Sequence, residues 1–493
     1  MGMNEVMLLF IVLFPFAAGV LVSLIPFKNR KAMLIFIEAA VIINSIMVWM
    51  ILLNRPAGTF TMLKFSGNLS VTFHIDGLAT VFAGLVSLLW PLATLYSFEY
   101  MKHENHEKIF FTFYVITYGV TLGIATSANI LSMYFFYELL TLVTTPLVLH
   151  TLKREAVLAA RTYLYYSIGG AAFAFIGMIF VIIYGSTSDF IYGGVMNIAP
   201  HAENTNLLLF IYVLAFMGFG VKAAVCPFCA WLPQAGVAPT PVTALLHAVA
   251  VVKSGAFAIM RLTYYSFGTD FLKGTWAQYT VMGVTIFTIV FGCSMAVKER
   301  HIKRRLAYST ISNLSYILFG VTIMTPLGLV GALTHLVCHA VMKICSFFCA
   351  GAIMYKTEKS YVYELDGLGR KMPKTFGIFT VSALALMGVP GLCGFISKFN
   401  LAKAAVESQN TFSYVGIGAL LISAILTAIY MMGIVVRAYF PRQDFDQETI
   451  ADAKDPNWMM LLPLGLFTVA MLVLGLYPTP LLELFRNIAM GLF

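Results

Sequence analysis

Apolar stretches of about 20 residues recur along almost the whole sequence, each long enough to cross roughly 30 Å of hydrocarbon as a helix. Lipid offers the backbone no hydrogen-bonding partners, so a chain of this pattern satisfies its own polar groups by spanning the bilayer as α-helices. Only 11% of its 493 residues are charged, against about one quarter in an ordinary soluble domain. A water-soluble fold is excluded, and no stretch is left over for a separate soluble domain. The first apolar stretch, near residues 5 to 26, lacks a basic leader and a small-residue cleavage site and reads as a retained helix.

The apolar runs predict an all-α polytopic membrane protein with about fourteen transmembrane helices. Their centres fall near residues 15, 43, 87, 117, 139, 173, 217, 250, 287, 315, 341, 390, 427 and 467. The net charge of +9 resides in short loops and forms no basic face or tail, so it speaks for topology and not for nucleic acid. With both termini outside, the inner loops collect most of the 31 Lys and Arg, among them Lys102, Lys108, Lys153, Arg304 and Lys371, while the outer segments keep Arg55, Lys64, Lys273 and Arg486. Six cations lie within or at the margin of spans: Lys222, Lys253, Arg261, Lys343, Lys398 and Lys403.

Two apolar segments are interrupted by Pro and Gly. One contains Pro227 and Pro233, in GFGVKAAVCPFCAWLPQAGVAPTP; the other contains Pro390, in MGVPGLCGFISK. Broken spans in corresponding halves of a chain point to an inverted-repeat transporter with its site near the midplane. Prolines are also simply tolerated in membrane helices, which is the plainer reading.

An ionisable side chain at the bilayer centre costs about 3 kcal/mol on insertion scales and so usually faces a bundle interior. Glu138 sits mid-span in the fifth helix with no charge near it in sequence. Lys222 precedes the first break, where freed carbonyls could surround its ammonium. The two could form a protonation switch or a static ion pair that fixes helix register. Lys253 lies mid-span in the eighth helix, with His247 six residues earlier and roughly 120° away around the axis, so His247 reads equally as a core histidine or a relay. His335, His339 and Lys343 follow at i, i+4 and i+8 on one face, a spacing water can bridge, and histidine suits proton exchange near neutrality. Two rival readings are a metal held by the histidines and a lysine snorkelling to the inner surface. Lys398 follows the second break. The Cys226 to Cys229 run has redox or half-zinc spacing, but inside an apolar span packing is the plainer reading. No phosphate-binding glycine loop, dinucleotide fingerprint, iron–sulfur cysteine set or hydrolytic triad is present.

The run KAAVCPFCAWLPQAGVAPTPVTALLHAVAVVKSGAFAIMR, with YELLTL, RRLAYSTISNLSY, THLVCHAVMK and GVPGLCGFISK, resembles the antiporter-like membrane subunits shared by respiratory complex I, Mrp multisubunit cation/proton antiporters and energy-converting membrane-bound hydrogenases. The resemblance covers roughly residues 70 to 440. It implies two inverted five-helix repeats with helices 7 and 12 broken: an N-terminal three-helix segment over 1–106, a first repeat over 107–265, a second over 276–441, and a last helix with a short tail over 456–493. It also implies a proton path through Glu138, Lys222, Lys253, His335, His339 and Lys398; His247 and Lys343, read from the residues alone, are candidate auxiliaries. Cys229 departs from the family pattern, which has histidine there.

The function expected from this resemblance is proton translocation, with or without exchange for sodium, by a non-redox subunit of a translocase in the cytoplasmic membrane. The chain itself is expected to bind no cofactor or metal. Iron–sulfur, flavin or nickel–iron groups would sit only in partner subunits. Expected partners are further antiporter-like and small membrane subunits, the lipid bilayer and a peripheral redox module, with no nucleic acid. Rival readings are an Mrp-type antiporter without redox coupling, a stand-alone secondary transporter, and a scaffold whose polar residues only fix packing.

Overall fold

The computed structural model describes residues 3–54, 58–65, 67, 69–197, 203–442 and 447–492; Arg55, expected among the outer cations, lies outside them. The main helices are α1 Met3–Leu24, α2 Arg30–Asn54, α3 Gly77–Tyr100, α4 Glu107–Ala125, α5 Ile130–Val148, α6 Arg154–Tyr184, α7 Thr205–Lys222, α8 Thr240–Phe267, α9 Trp276–Lys298, α10 Ile302–Thr322, α11 Pro326–Thr357, α12 Pro373–Met387, α13 Cys393–Glu407, α14 Thr411–Tyr439, α15 Trp458–Leu476 and α16 Thr479–Ala489. The protein is a multi-pass helical membrane protein. Among the described residues twelve helices are long and apolar enough to cross a bilayer. Of the fourteen expected centres, residue 315 falls in α10, which is too polar to qualify, and residue 390 falls between α12 and α13, each too short alone.

One element departs from the all-α expectation. A small antiparallel hairpin, β1 Phe60–Lys64 and β2 Ser70–Phe73, pairs Phe60 with Phe73 and Lys64 with Ser70, with a bulge between Thr61 and Leu63. It forms where the residues between α2 and α3 alternate polar and apolar instead of running apolar, and it is fixed to the bundle by the Thr72 N–H, which donates to Ser132 Oγ at 2.8 Å.

The bundle is arranged by burial. The most hydrophobic 18-residue window of α8 is 100% buried and that of α11 94%, against 44% for α2 and α14 and 33% for α15. Helices α8 and α11 therefore form the centre, and every Lys and His of interest on them is shielded from lipid. Small residues make the close contacts possible. A Cβ on Gly255 of α8 would sit 2.5 Å from the Ala223 nitrogen, so only glycine lets α8 approach the end of α7. A Cβ on Gly394 of α13 would meet the Ala385 carbonyl oxygen of α12 at 1.8 Å.

Two faces of the bundle differ in chemistry. On one, five connections surround a polar cavity of about 840 Å³ lined by His103, Glu104, His106, His150, His301 and Lys303, among others. Cations assigned by sequence to the inner side, Lys153 and Arg304, line it as well. The opposite face is stitched by main-chain bonds, such as Val195 N–H to Ser266 O at 2.8 Å, and carries a buried ion pair between Asp76, the N-cap of α3, and Arg261 of α8. The guanidinium is 1% exposed and packs among Phe190, Phe257 and Tyr265. Burial alone would raise the Asp76 carboxyl, but the Arg261 charge and hydrogen bonds from Arg261 and the Ala79 N–H hold it below the usual carboxylate range. Its contribution to stability is thus present above the unfolded carboxylate range and is lost as pH falls through the lower folded value.

Removing one partner of such a pair strands a buried charge. Asp76→Asn is expected to destabilise the protein by about 3 kcal/mol, read as a lower thermal midpoint in detergent. An unchanged midpoint would show that Arg261 does not depend on this carboxylate.

Candidate functional site

Both sequence-predicted breaks are present. At the first, α7 ends at Lys222, the chain turns through Pro227, and a short helix, Trp231–Gln234, contains Pro233. There the Val221 carbonyl, which also accepts the Ala223 and Ala224 N–H groups, takes the Trp231 indole N–H at 2.9 Å. At the second, α12 ends at Gly388, whose φ of +93° suits glycine, and Pro390 lies in the turn before α13. Here the last carbonyls, Leu386 O and Met387 O, accept from Lys398 Nζ at 2.7 and 3.0 Å. The lysine surrounded by break carbonyls is therefore Lys398. Lys222, expected in that role, instead crosses to α5.

Lys222 Nζ donates to the Tyr137 carbonyl, stands 3.4 Å from the centroid of the Tyr137 ring, and lies 3.9 Å from Glu138 Oε1. The lysine is 1% exposed, whereas the glutamate is 29% exposed and looks toward the flank of the bundle. The two expected partners are brought together, but loosely; the lysine keeps a hydrogen bond that does not depend on the carboxylate.

The second group is tighter. Lys253 Nζ on α8 lies 2.5 Å from His339 Nδ1 on α11. Two cations cannot share that distance, so at most one of the two groups is protonated. His339 stacks on His335 with ring centroids 5.7 Å apart, in keeping with the i, i+4 spacing. His335 Nδ1 is 2.9 Å from Ser397 Oγ on α13. The Tyr316 ring lies 5.1 Å from the His335 ring and 5.5 Å from Lys398 Nζ, closing the run. A run of close contacts thus joins Lys253, His339, His335 and Lys398, the steps from His339 to His335 and through Tyr316 to Lys398 being ring contacts and not hydrogen bonds.

Lys343 shares the face of the two histidines but leaves the line. It is fully buried, so it does not snorkel, and its Nζ donates to Ser309 Oγ at 2.7 Å and Leu306 O at 3.2 Å. Ser309 continues to Tyr430 OH at 2.6 Å. His247 sits in a π-turn, Leu245–Val249, closed by the Ala250 N–H to Leu245 O at 2.9 Å, and packs on Phe347. Such turns shift helix phase and recur at functional sites. Lys403 pairs with Glu407 on the exposed face of α13 and joins none of these groups.

A family description of the membrane domain shared by NADH:quinone oxidoreductase and Mrp antiporters matches residues 127–432, a span that includes Glu138, Lys222, Lys253, His335, His339 and Lys398, and the N-terminal description of complex I chain 5 matches 63–111. The chain belongs to this family. Among relatives of this antiporter-like protein, the A/B subunit of a probable K⁺/H⁺ antiporter of Rhizobium meliloti is 28% identical over 98% of this chain and 48% of the relative. The N subunit of an NADH-quinone oxidoreductase of Desulforudis audaxviator is 28% identical over 82% of this chain and 81% of the relative. The A1 subunit of a Na⁺/H⁺ antiporter of Staphylococcus aureus is also 28% identical, over 82% of this chain and 52% of the relative. The chain spans about half the length of those two antiporter subunits. Two solved structures share its fold: a chain of an archaeal membrane-bound sulfane sulfur reductase, with TM-score 0.84, 20% identity and coverage of 98% and 97%, and a chain of the Mrp complex from Dietzia, with TM-score 0.85, 21% identity and coverage of 100% and 98%.

Uncharged polar residues of the antiporter-like chain, not singled out by sequence, surround these groups: Tyr316 on α10 and Ser397 on α13 lie along the line, and Ser309 and Asn313 on α10 belong to the Lys343 branch. Their signal was in the sequence: STISNLSY is a span too polar to face lipid, and almost all of α10 is buried. Glu38 on α2 is a second intramembrane carboxylate; its Oε2 is buried without a hydrogen-bond partner among the described residues. In the polar cavity on the basic face, burial pushes the His301 imidazole down to about 4, with Lys303 and Arg304 adding to the shift, and burial lowers His150 too.

Because the approach of α8 to Lys222 requires glycine, Gly255→Ala is expected to lower the thermal midpoint by an amount corresponding to about 1–3 kcal/mol. A neutral effect would show that α7 and α8 separate freely.

Proposed function

We propose that this antiporter-like protein translocates protons across the cytoplasmic membrane, with or without exchange for sodium, along Glu138, Lys222, Lys253, His339, His335 and Lys398. The observation that carries the reading is the contiguous line from Lys253 to Lys398 on and against the two most buried helices. Each neighbour in it can pass a proton by short transfers through rings, hydroxyls and water. The Lys253–His339 contact is the central exchange point, because a proton arriving there is held by one nitrogen or the other and never by both.

Lys222 and Glu138 act as the control pair. With the carboxylate near, Lys222 keeps its proton; when the carboxylate is neutralised or drawn away, desolvation favours release. The flank position of Glu138 suits control from a neighbouring membrane protein, so the proposal includes further antiporter-like and small membrane subunits as partners and a redox module as one source of energy. The polar cavity of about 840 Å³ supports proton uptake from the basic face, taken as the inner one, with both termini outside. His247, between that cavity and the line, and Lys343, through Ser309 and Tyr430, are auxiliary routes. The two inverted repeats, over 107–265 and 276–441, each supply one break and one lysine beside it.

Glu138→Ala and Lys222→Ala are each expected to abolish proton uptake by vesicles that contain the assembled complex, while assembly on native gels persists. Full uptake in either variant would sink the assignment. Lys398→Ala is expected to block uptake as well, since Lys398 ends the line. If uptake through that variant is unimpaired, the exit lies elsewhere, with the Lys343 branch the next to test by Lys343→Met.

A further inference from the structure

The turn after Lys222 brings together two thiols that the proton path does not use. Cys226 and Cys229 are reduced and buried, 7% and 5% exposed, and their sulfurs lie 3.2 Å apart. The Cys226 N–H is anchored on Thr288 Oγ1 at 3.2 Å, which fixes the turn against α9. Both sulfurs line a cavity of about 540 Å³ whose other walls include Gly283, Phe287, Phe291 and Tyr308. Phe287 is 60% exposed, so the cavity opens on the flank of the bundle and not on either polar face. A pair of sulfurs at this separation needs a shift of about 1.2 Å to reach the bond length of about 2.05 Å. The turn joining them lies between helices, where such a shift disturbs no helix ladder.

We propose that Cys226 and Cys229 form a reversible dithiol/disulfide site that apolar disulfides reach through this flank cavity. One cysteine thiolate attacks a sulfur of R–S–S–R; a mixed disulfide forms, and RS⁻ leaves and takes up the proton the first thiol lost. The second cysteine thiolate then attacks the protein sulfur of the mixed disulfide. The Cys226–Cys229 bond forms, and the second RS⁻ leaves and is protonated by the proton of the second thiol. Two electrons pass from the protein pair to the reagent, and one disulfide with two thiols becomes one disulfide with two thiols. The apolar walls select uncharged reagents. Because the pair sits on the first helix break, its redox state decides whether that break is covalently closed.

The site does not depend on the transport reading, and its test is chemical. The full chain in membrane vesicles is treated with 4,4′-dithiodipyridine, an uncharged disulfide, and then digested and mapped by mass spectrometry. The expected product is the peptide carrying residues 226 and 229 lighter by two hydrogens and free of pyridyl label. Cys229→Ser is expected to retain one pyridyl group on Cys226, and the Cys226→Ser, Cys229→Ser double variant to release two fewer equivalents of thiopyridone than the parent. Oxidised glutathione, charged and bulky, is expected to leave the pair reduced in the unaltered protein, a comparison that needs no variant to fold. The proposal is overturned if the pair stays reduced under dithiodipyridine, if each cysteine of the parent carries its own stable label, or if glutathione oxidises the pair as fast as the uncharged reagent.

Discussion

The structure depends on giving buried cations something to bind where carboxylates are scarce. Main-chain carbonyls do most of this. Lys222 takes Tyr137 O, Lys398 takes Leu386 O and Met387 O, Lys343 takes Leu306 O, Lys303 takes Ala238 O, and Arg305 takes Tyr430 O. Tyr137 O, Leu306 O and Tyr430 O lie inside helices and take the cation as an added donor, whereas Leu386 O and Met387 O stand at the end of α12, where the break leaves carbonyls without a helical N–H. The break before Lys398 is therefore not an incidental flaw in α12; it supplies the oxygen atoms that make an intramembrane ammonium tolerable.

Carbonyls stabilise a cation without fixing its proton, and that distinction bears on function. A carboxylate at hydrogen-bond distance would hold each lysine charged. Along the line from Lys253 to Lys398 no carboxylate intervenes among the described contacts, and Lys253 faces an imidazole instead. Too many basic groups share too little counter-charge for all to be protonated together, so protonation at one position opposes protonation at the next. Mutual exclusion of this kind lets a charge arriving at one end be felt along the line.

The sequence was legible where polar chemistry interrupts apolar pattern. Glu138, Lys253, His335, His339 and Lys398 stand out because each carries a cost in lipid that a helix would otherwise avoid, and the breaks stand out because Pro and Gly cluster there. Which oxygens receive which lysine was not legible. The contact between Lys222 and Tyr137 joins residues 85 apart and depends on how α5 crosses α7, and period and composition do not encode that crossing. Ser309 and Tyr316 are legible only as a group: hydroxyl groups cost less than charges in lipid, so STISNLSY marks a buried span without marking which of its residues meets Lys343 or His335. The hairpin over residues 60–73 escaped because a short polar alternation between two long spans looks like any loop.

The two halves of the chain solve the same problem unequally. At the first break the turn's own N–H groups and a tryptophan indole satisfy the Val221 carbonyl, and Lys222 reaches α5 with Glu138 at the flank. At the second break the lysine itself satisfies the carbonyls, and no acidic partner is set beside it among the described residues. The first lysine can gain or lose the influence of a carboxylate while keeping its Tyr137 hydrogen bond, so its charge balance is adjustable at little structural cost. The second cannot move without exposing two carbonyls. The half with Glu138 thus holds its lysine loosely and the half with Lys398 holds its lysine in place, because only at the second break does the lysine itself satisfy the freed carbonyls.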